Sequence, residues 1–174
     1  MDADNLRFNT LRNALYHTAR RRHYEGVARY FNLFVILLGT AAVSDMLGVY
    51  GITQAQIGAA VAIVGALQLV FDFGRQARDH QVLQRDYYRL LAEIEADTEP
   101  TTESLAQWRG EMMLITADEP PVLRAVDAKA YNDALDASGV YPLTERLRIP
   151  WYQRLLGRFL SFEGFSYKKL SESS

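Results

Sequence analysis

The sequence predicts an all-α membrane protein: a two-helix transmembrane hairpin whose long helices extend into a cytoplasmic helical bundle, with both termini cytoplasmic. Three observations lead there. Residues 30–44 carry no charged side chain, and residues 52–71 carry none either. Arg residues crowd the outer flanks of both stretches and are missing from the turn between them. No segment shows the strict apolar and polar alternation of a half-buried strand.

Whole-chain averages hide this pattern. With 174 residues, 49% hydrophobic, 23% charged and a formal net charge of −2, the chain looks like an ordinary small soluble domain. Residues 1–89, however, hold ten Arg against seven acids, residues 90–145 three bases against twelve acids, and residues 146–174 six bases against two acids. The near-neutral total is a sum of zones at +3, −9 and +4. A broadly basic surface is therefore absent, and nucleic acid is not an expected partner. The chain has no Cys, which excludes disulfides, thiolate catalysis and Cys-ligated metal.

The elements follow in order. Over residues 5–29, Phe8, Leu11 and Leu15 recur at spacings of three and four, no Pro intervenes, and the single Gly26 is tolerable, so this segment reads as a helix running into the first apolar stretch. That stretch sets a first span at about 30–48, with Asp45 near its end, and the second sets a span at about 52–73. Each is about 20 residues, or roughly 30 Å as helix, the thickness of a hydrocarbon core. Eight strongly apolar residues before Ser44 favour insertion of the first span by about 4 kcal/mol. The second has a comparable gain, weakened by Gln68. Inner-leaflet flanks are assigned to Arg20, Arg21, Arg22 and Arg29 before the hairpin and to Arg75 and Arg78 after it, which places both termini inside by the positive-inside rule. The competing picture is a soluble protein with a fully buried helical pair. It makes the Arg asymmetry accidental and asks 174 residues to surround two apolar helices. A signal peptide is disfavoured because the apolar run begins about 30 residues in.

After the second span one helix is expected over about 55–96, on the order of 60 Å long. Leu83, Tyr87, Leu90 and Ile94 on it follow a heptad-like spacing, and this extension should pack antiparallel against residues 5–29. Glu99, Pro100, Thr101 and Thr102 interrupt the pattern, and Thr with Glu103 supplies an N-cap and a first-turn charge. A helix follows to about Thr116 with the stripe Leu105, Trp108, Met112 and Ile115. Asp118, Glu119, Pro120 and Pro121 stop it, and a helix over 122–137 ends at Ser138 and Gly139. From Pro150, large apolar residues mix with Arg154 and Arg158, either as an amphipathic helix on the anionic inner leaflet or as the closing piece of the bundle. Residues 168–174 are expected to fray. The organisation is thus 5–97, 98–145 and a basic aromatic tail, 146–174.

Catalytic chemistry is not legible. His17, His23 and His80 have no metal-ligand spacing, no nucleophile elbow or phosphate loop occurs, and Asp127, Asp133 and Asp136 read as a solvated helix face. No enzyme activity, cofactor or metal is expected. Arg20, Arg21 and Arg22 suit a phosphate or nucleotide, but topology accounts for them better. The second span is more informative. Ala55, Gly58, Ala59, Ala62, Gly65 and Ala66 fall within an arc of about 120°, opposite Ile57, Val61, Val64, Leu67 and Phe71. Small residues let helix backbones approach closely, so this face should meet a helix, either the first span or another copy. Gln68, Asp72 and Gln76 line its edge, and the first span offers Asn32, Thr40 and Ser44. Such polar groups face a bundle interior or water, as pore-lining or interhelical residues. Two helices cannot enclose a path, so a conduit requires a homo-oligomer.

The layout resembles the bacterial SLATT domains, two-transmembrane effectors associated with second-messenger nucleotidyltransferases and nucleotide sensors. The residues that carry the resemblance are Tyr16, His17, Arg20, Arg21 and Tyr24 leading into the first span, the short far-side turn, and the Arg-rich helix after the second. Trp108, Glu119, Pro120 and Pro121, then Ala130, Tyr131 and Asn132 before Gly139, match the helical C-terminal part. The resemblance covers roughly 5–145 and implies a pore-forming or membrane-perturbing inner-membrane effector in conflict systems such as anti-phage defence. A fused sensor domain is not expected within these residues, so the resemblance implies a separate signalling protein, a ligand or assembly as trigger. A scaffold that anchors at membrane lipid and docks a cytoplasmic partner through the acidic helices is the rival reading.

Overall fold

The structure, a computed structural model, describes residues 2–173. The helices are α1 (Ala3–Leu38), α2 (Ala41–Gly48), α3 (Gln54–Phe71), α4 (Phe73–Ala96), α5 (Thr102–Ala117), α6 (Arg124–Ser138) and α7 (Trp151–Leu156), with 3-10 turns at Leu143–Glu145 and Leu170–Ser173. No strand occurs among the described residues, where β pairing is limited to one antiparallel bridge between Leu147 and Lys169. The chain forms two compact units: Met1–Arg20 with Asp79–Ser174, and Arg21–Arg78.

The first unit is a helical bundle. The start of α1 runs antiparallel to α4, since Arg7 pairs with Glu95 at 2.6 Å while His17, ten positions on, faces His80, fifteen positions back. Leu83, Tyr87, Leu90 and Ile94 turn one face of α4 into the core, where they meet Leu6 and Ala14 of α1 and Trp108 and Ile115 of α5. The Thr101 hydroxyl accepts from the Ser104 amide and caps α5. On α6, Ala125, Val126, Ala128, Ala130, Ala134 and Leu135 are buried, and Phe8 packs edge-on against Tyr131 and Tyr141. Gly139 ends α6 with φ 63°, a left-handed C-cap where a side chain would be strained.

The tail is ordered, contrary to the expectation of fraying over 168–174. Arg148 N donates to Lys168 O and Leu170 N to Arg146 O, at 2.9 Å each, and Lys169 forms an ion pair with Glu145. Ser174 lies outside the described residues. The backbone pairing gives the end of the chain partners that its composition alone does not reveal.

The second unit holds the apolar stretches. The helical run Gln54–Ala96, α3 and α4 together, contains a segment long and apolar enough to cross a membrane, and only 6% of that segment is buried. A soluble core helix would be mostly covered. Thr53 and Gln56 close a reciprocal capping box at the start of α3.

Two expected helices are broken. The stretch 30–48 is not one rod: α1 ends at Leu38, and Thr40 opens α2 by accepting from Val43 N at 3.4 Å. Thr40 also donates to Leu37 O at 2.8 Å, so its side chain ties the two helix ends together. The helix expected over 55–96 is interrupted at Asp72, which has left-handed φ 38° and ψ 58°. Its Oδ1 accepts from Arg75 N at 3.0 Å. Asp72 therefore closes α3 with its backbone and opens α4 with its side chain, two roles a short polar side chain can combine.

Candidate functional site

In the apolar unit, the inward side of α3 mixes large and small residues, Ala60 among them. Ile57 is buried and Val61, Val64, Gly65 and Gln68 are half-buried, at the spacing of one helix face. Ala55, Gly58, Ala59, Ala62 and Ala66 are exposed. A Cβ added at Gly58 or Gly65 would meet nothing within 4 Å. Five of the six small residues are thus exposed within the chain, and Gly65 is half-buried.

The structure brings together two of the six polar positions singled out in the sequence. Gln68 Nε2 donates to Asn32 Oδ1 at 2.8 Å, joining α3 to α1. The others act locally. Ser44 is half-buried, and its amide donates to Thr40 O. Gln76 Nε2 donates to Phe71 O at 2.6 Å, bridging the break at Asp72. Asp72 is half exposed and faces Arg75 Nε at 3.7 Å. These contacts make Gln68 and Asn32 an interhelical pair and Asp72 and Gln76 the trim of a helix break.

The six flanking Arg residues divide by burial. Arg22, Arg29, Arg75 and Arg78 are exposed and Arg21 is half-buried. Arg21 and Arg29 lie near the Glu25 carboxylate at 3.5 and 3.7 Å. Arg20 departs from the assignment to the inner-leaflet flank: it is 7% exposed, and its guanidinium donates to Arg158 O at 2.9 Å. One position along α1 rotates a side chain by 100°, so three consecutive Arg point to different surroundings.

The bundle unit contains a buried polar cluster that sequence spacing did not reveal. His17 Nδ1 and His80 Nδ1 lie 2.9 Å apart. His17 Nε2 is 3.2 Å from Glu119 Oε1, which also accepts from the Tyr87 hydroxyl. That hydroxyl lies 2.9 Å from Thr116 Oγ1, and the Tyr87 ring stacks on His17 with centroids 5.6 Å apart. Both His and Tyr87 are fully buried. Burial, then His17 and Arg20, push the His80 imidazole down to about 3, so it is neutral at physiological pH. Burial and the bond to Glu119 push the Tyr87 phenol up. Burial also raises Tyr16, whose hydroxyl accepts from Leu123 N at 3.0 Å.

This cluster does not form a metal centre. Glu119 and His80 sit on opposite nitrogens of His17, and among the described residues no three His, Asp or Glu groups converge on one point. Asp127, Asp133 and Asp136 take separate cations, Arg12, Lys129 and Arg146. The residues that carried the family resemblance thus include His17 and Glu119, but their geometry is that of a packed polar core. Spacing along one helix cannot pair His17 with a second His 63 positions away.

No protein-family model matches the chain, and neither does any curated protein or solved structure.

Proposed function

We propose that this chain is a membrane-embedded effector whose copies associate in a bacterial inner membrane and alter its permeability. On this reading α3, with the apolar end of α1 and α2, forms a two-pass hairpin, and the Arg-rich flanks keep both termini cytoplasmic. The observation that carries it is the outward small-residue face of an apolar helix that the rest of the chain leaves almost uncovered. Within lipid, such a face gains most by close packing against another helix, and a second copy provides one. The Gln68–Asn32 bond holds the hairpin's own two arms, leaving the small face for assembly. The likeness of the sequence to SLATT domains supports a setting in bacterial conflict, with a separate signalling protein or assembly itself as the trigger.

The test is the full chain, induced in bacteria with a potential-sensitive dye and purified in detergent for its oligomeric state. Gly58→Leu and Ala62→Leu should dissociate the assembly and abolish depolarisation, while Gln68→Leu should loosen the hairpin. Unchanged depolarisation in both small-face variants sinks the reading. If Gln68→Leu and Asp72→Asn leave ion flux and ion preference unchanged in liposomes, neither residue lines the path.

A second reading is favoured by one feature of the bundle. A cleft of about 810 Å³ between α4 and α5 is lined by Asp79, Asp86, Glu111 and Asp118 together with Val82 and Leu114, and by one cation, Arg89, 3.5 Å from Glu111. This combination of acids and exposed apolar residues suits a basic amphipathic partner and supports a membrane-anchored scaffold. An intact membrane potential together with co-purification of one partner, lost on Glu111→Lys, favours that reading over the effector.

A further inference from the structure

We propose that α7 and the turn after it form a surface that docks on an anionic lipid headgroup layer. The helix has two unlike sides. On its inner side Gln153 is buried and its carbonyl side-chain oxygen accepts from the Tyr167 hydroxyl. Gly157 is buried too, and a Cβ there would stand 2.4 Å from both Ala125 Cβ and Gln153 O. That contact admits no side chain, so the segment is pinned tightly to the bundle and its outer side is not exposed through looseness.

The outer side presents Trp151, Leu155, Phe159 and Leu160. Trp151 is 73% exposed and Phe159 68%. Arg154 and Arg158 are exposed beside them, within a zone of six bases and two acids. Large apolar side chains held outward on a fixed platform cost free energy in water. An anionic bilayer surface meets both needs of this face: the apolar side chains enter the headgroup and acyl boundary to roughly 5–10 Å, and each Arg is drawn to the surface charge. Trp prefers this boundary because its ring is apolar and its N–H finds water. The inference rests on the reading above that the chain resides at a membrane. It adds that the bundle unit has a lipid contact of its own.

The chain reports on itself, because its two Trp residues differ: Trp108 is 6% exposed and Trp151 is not covered. The experiment is fluorescence of the full chain with Trp108→Phe in vesicles of phosphatidylglycerol and phosphatidylcholine, some brominated high on the acyl chain. Where Trp108→Phe disturbs the core, the difference between the unaltered chain and Trp151→Phe isolates the same signal. We expect brominated lipid to quench Trp151, acrylamide to lose access to it, and both effects to shrink when phosphatidylglycerol is left out. Arg154→Gln with Arg158→Gln should erase the difference between the two lipids. Trp151 that stays open to acrylamide and untouched by brominated lipid overturns the proposal, and Trp151 shielded from both assigns the face to a protein. An unchanged lipid preference in the Arg variants overturns the anionic assignment. Alkaline extraction tests membrane insertion separately: a chain washed from the vesicles sinks the hairpin reading, while quenching at neutral pH still decides the α7 contact.

Discussion

His17 and His80 face each other through their Nδ1 atoms at 2.9 Å inside the bundle, one from α1 and one from α4. Only one of these two nitrogens can carry the proton of that bond. Glu119, 3.2 Å from the other nitrogen of His17, favours a proton on that side.

Acid should weaken the bundle through His80. The unfolded chain binds a proton at this residue below about pH 6.5, whereas the folded chain resists it until about 3. Between those values the unfolded state holds more protons, so stability falls as pH falls, on the order of 1 kcal/mol per pH unit from this residue. Melting of the detergent-solubilised chain followed by Trp emission should show a shallower pH slope in His80→Gln over pH 4 to 6. Identical slopes would mean that His80 is not held neutral.

Tyr87 and Glu119 should be energetically coupled. Tyr87→Phe deprives a nearly buried carboxylate of a donor, which should cost about 1–3 kcal/mol. Glu119→Gln retains an acceptor and should cost less. A double-mutant cycle over the two positions should give a coupling above about 0.5 kcal/mol, and strict additivity would refute the contact.

Two glycines should respond to Ala with opposite signs. Gly157→Ala forces a Cβ against Ala125 and the Gln153 carbonyl, and overpacking of this kind costs about 1–3 kcal/mol. Limited trypsin digestion should then cut faster in the tail, at Arg158 or Lys168. Gly110→Ala, on an open face of α5 with nothing within 4 Å, should stabilise by about 0.5–1 kcal/mol. Protection of the tail unchanged in Gly157→Ala would show that α7 is not seated there.

The break at Asp72 depends on a residue that tolerates left-handed backbone and caps the next helix. Asp72→Asn keeps both properties and should leave unfolding in detergent nearly unchanged. Asp72→Val loses both and should cost about 1–3 kcal/mol. Equal stabilities for the two variants would imply a continuous helix through this position.

Much of the helical plan was legible from local pattern. The Leu83, Tyr87, Leu90 and Ile94 stripe and the Leu105, Trp108, Met112 and Ile115 stripe both mark faces that turn inward, because a helix repeats its direction every three to four residues. Pro120 and Gly139 punctuate the chain where α5 and α6 end or follow. The break at Asp72 was not legible, since an Asp at the edge of an apolar stretch reads equally as a charge at the membrane boundary. Its backbone state depends on whether the Arg75 amide needs a cap. The Thr40 junction was missed for a similar reason: a short polar residue in an apolar run can stay helical or cap a new turn.

The polar and charged residues show the division most clearly. Sequence by itself determined the zones of charge, the two apolar stretches and the helical class, because these depend on composition and on neighbours within a few turns. It did not determine which way a given residue faces among distant partners. Only the tertiary structure sent Arg20 into the bundle beside Arg158 O while leaving Arg22 exposed, paired His17 with His80, and turned Ala62 outward while Val64 turned in. Those choices are made by packing between segments far apart in the chain, where burial of the largest apolar area and satisfaction of every buried polar group are settled together.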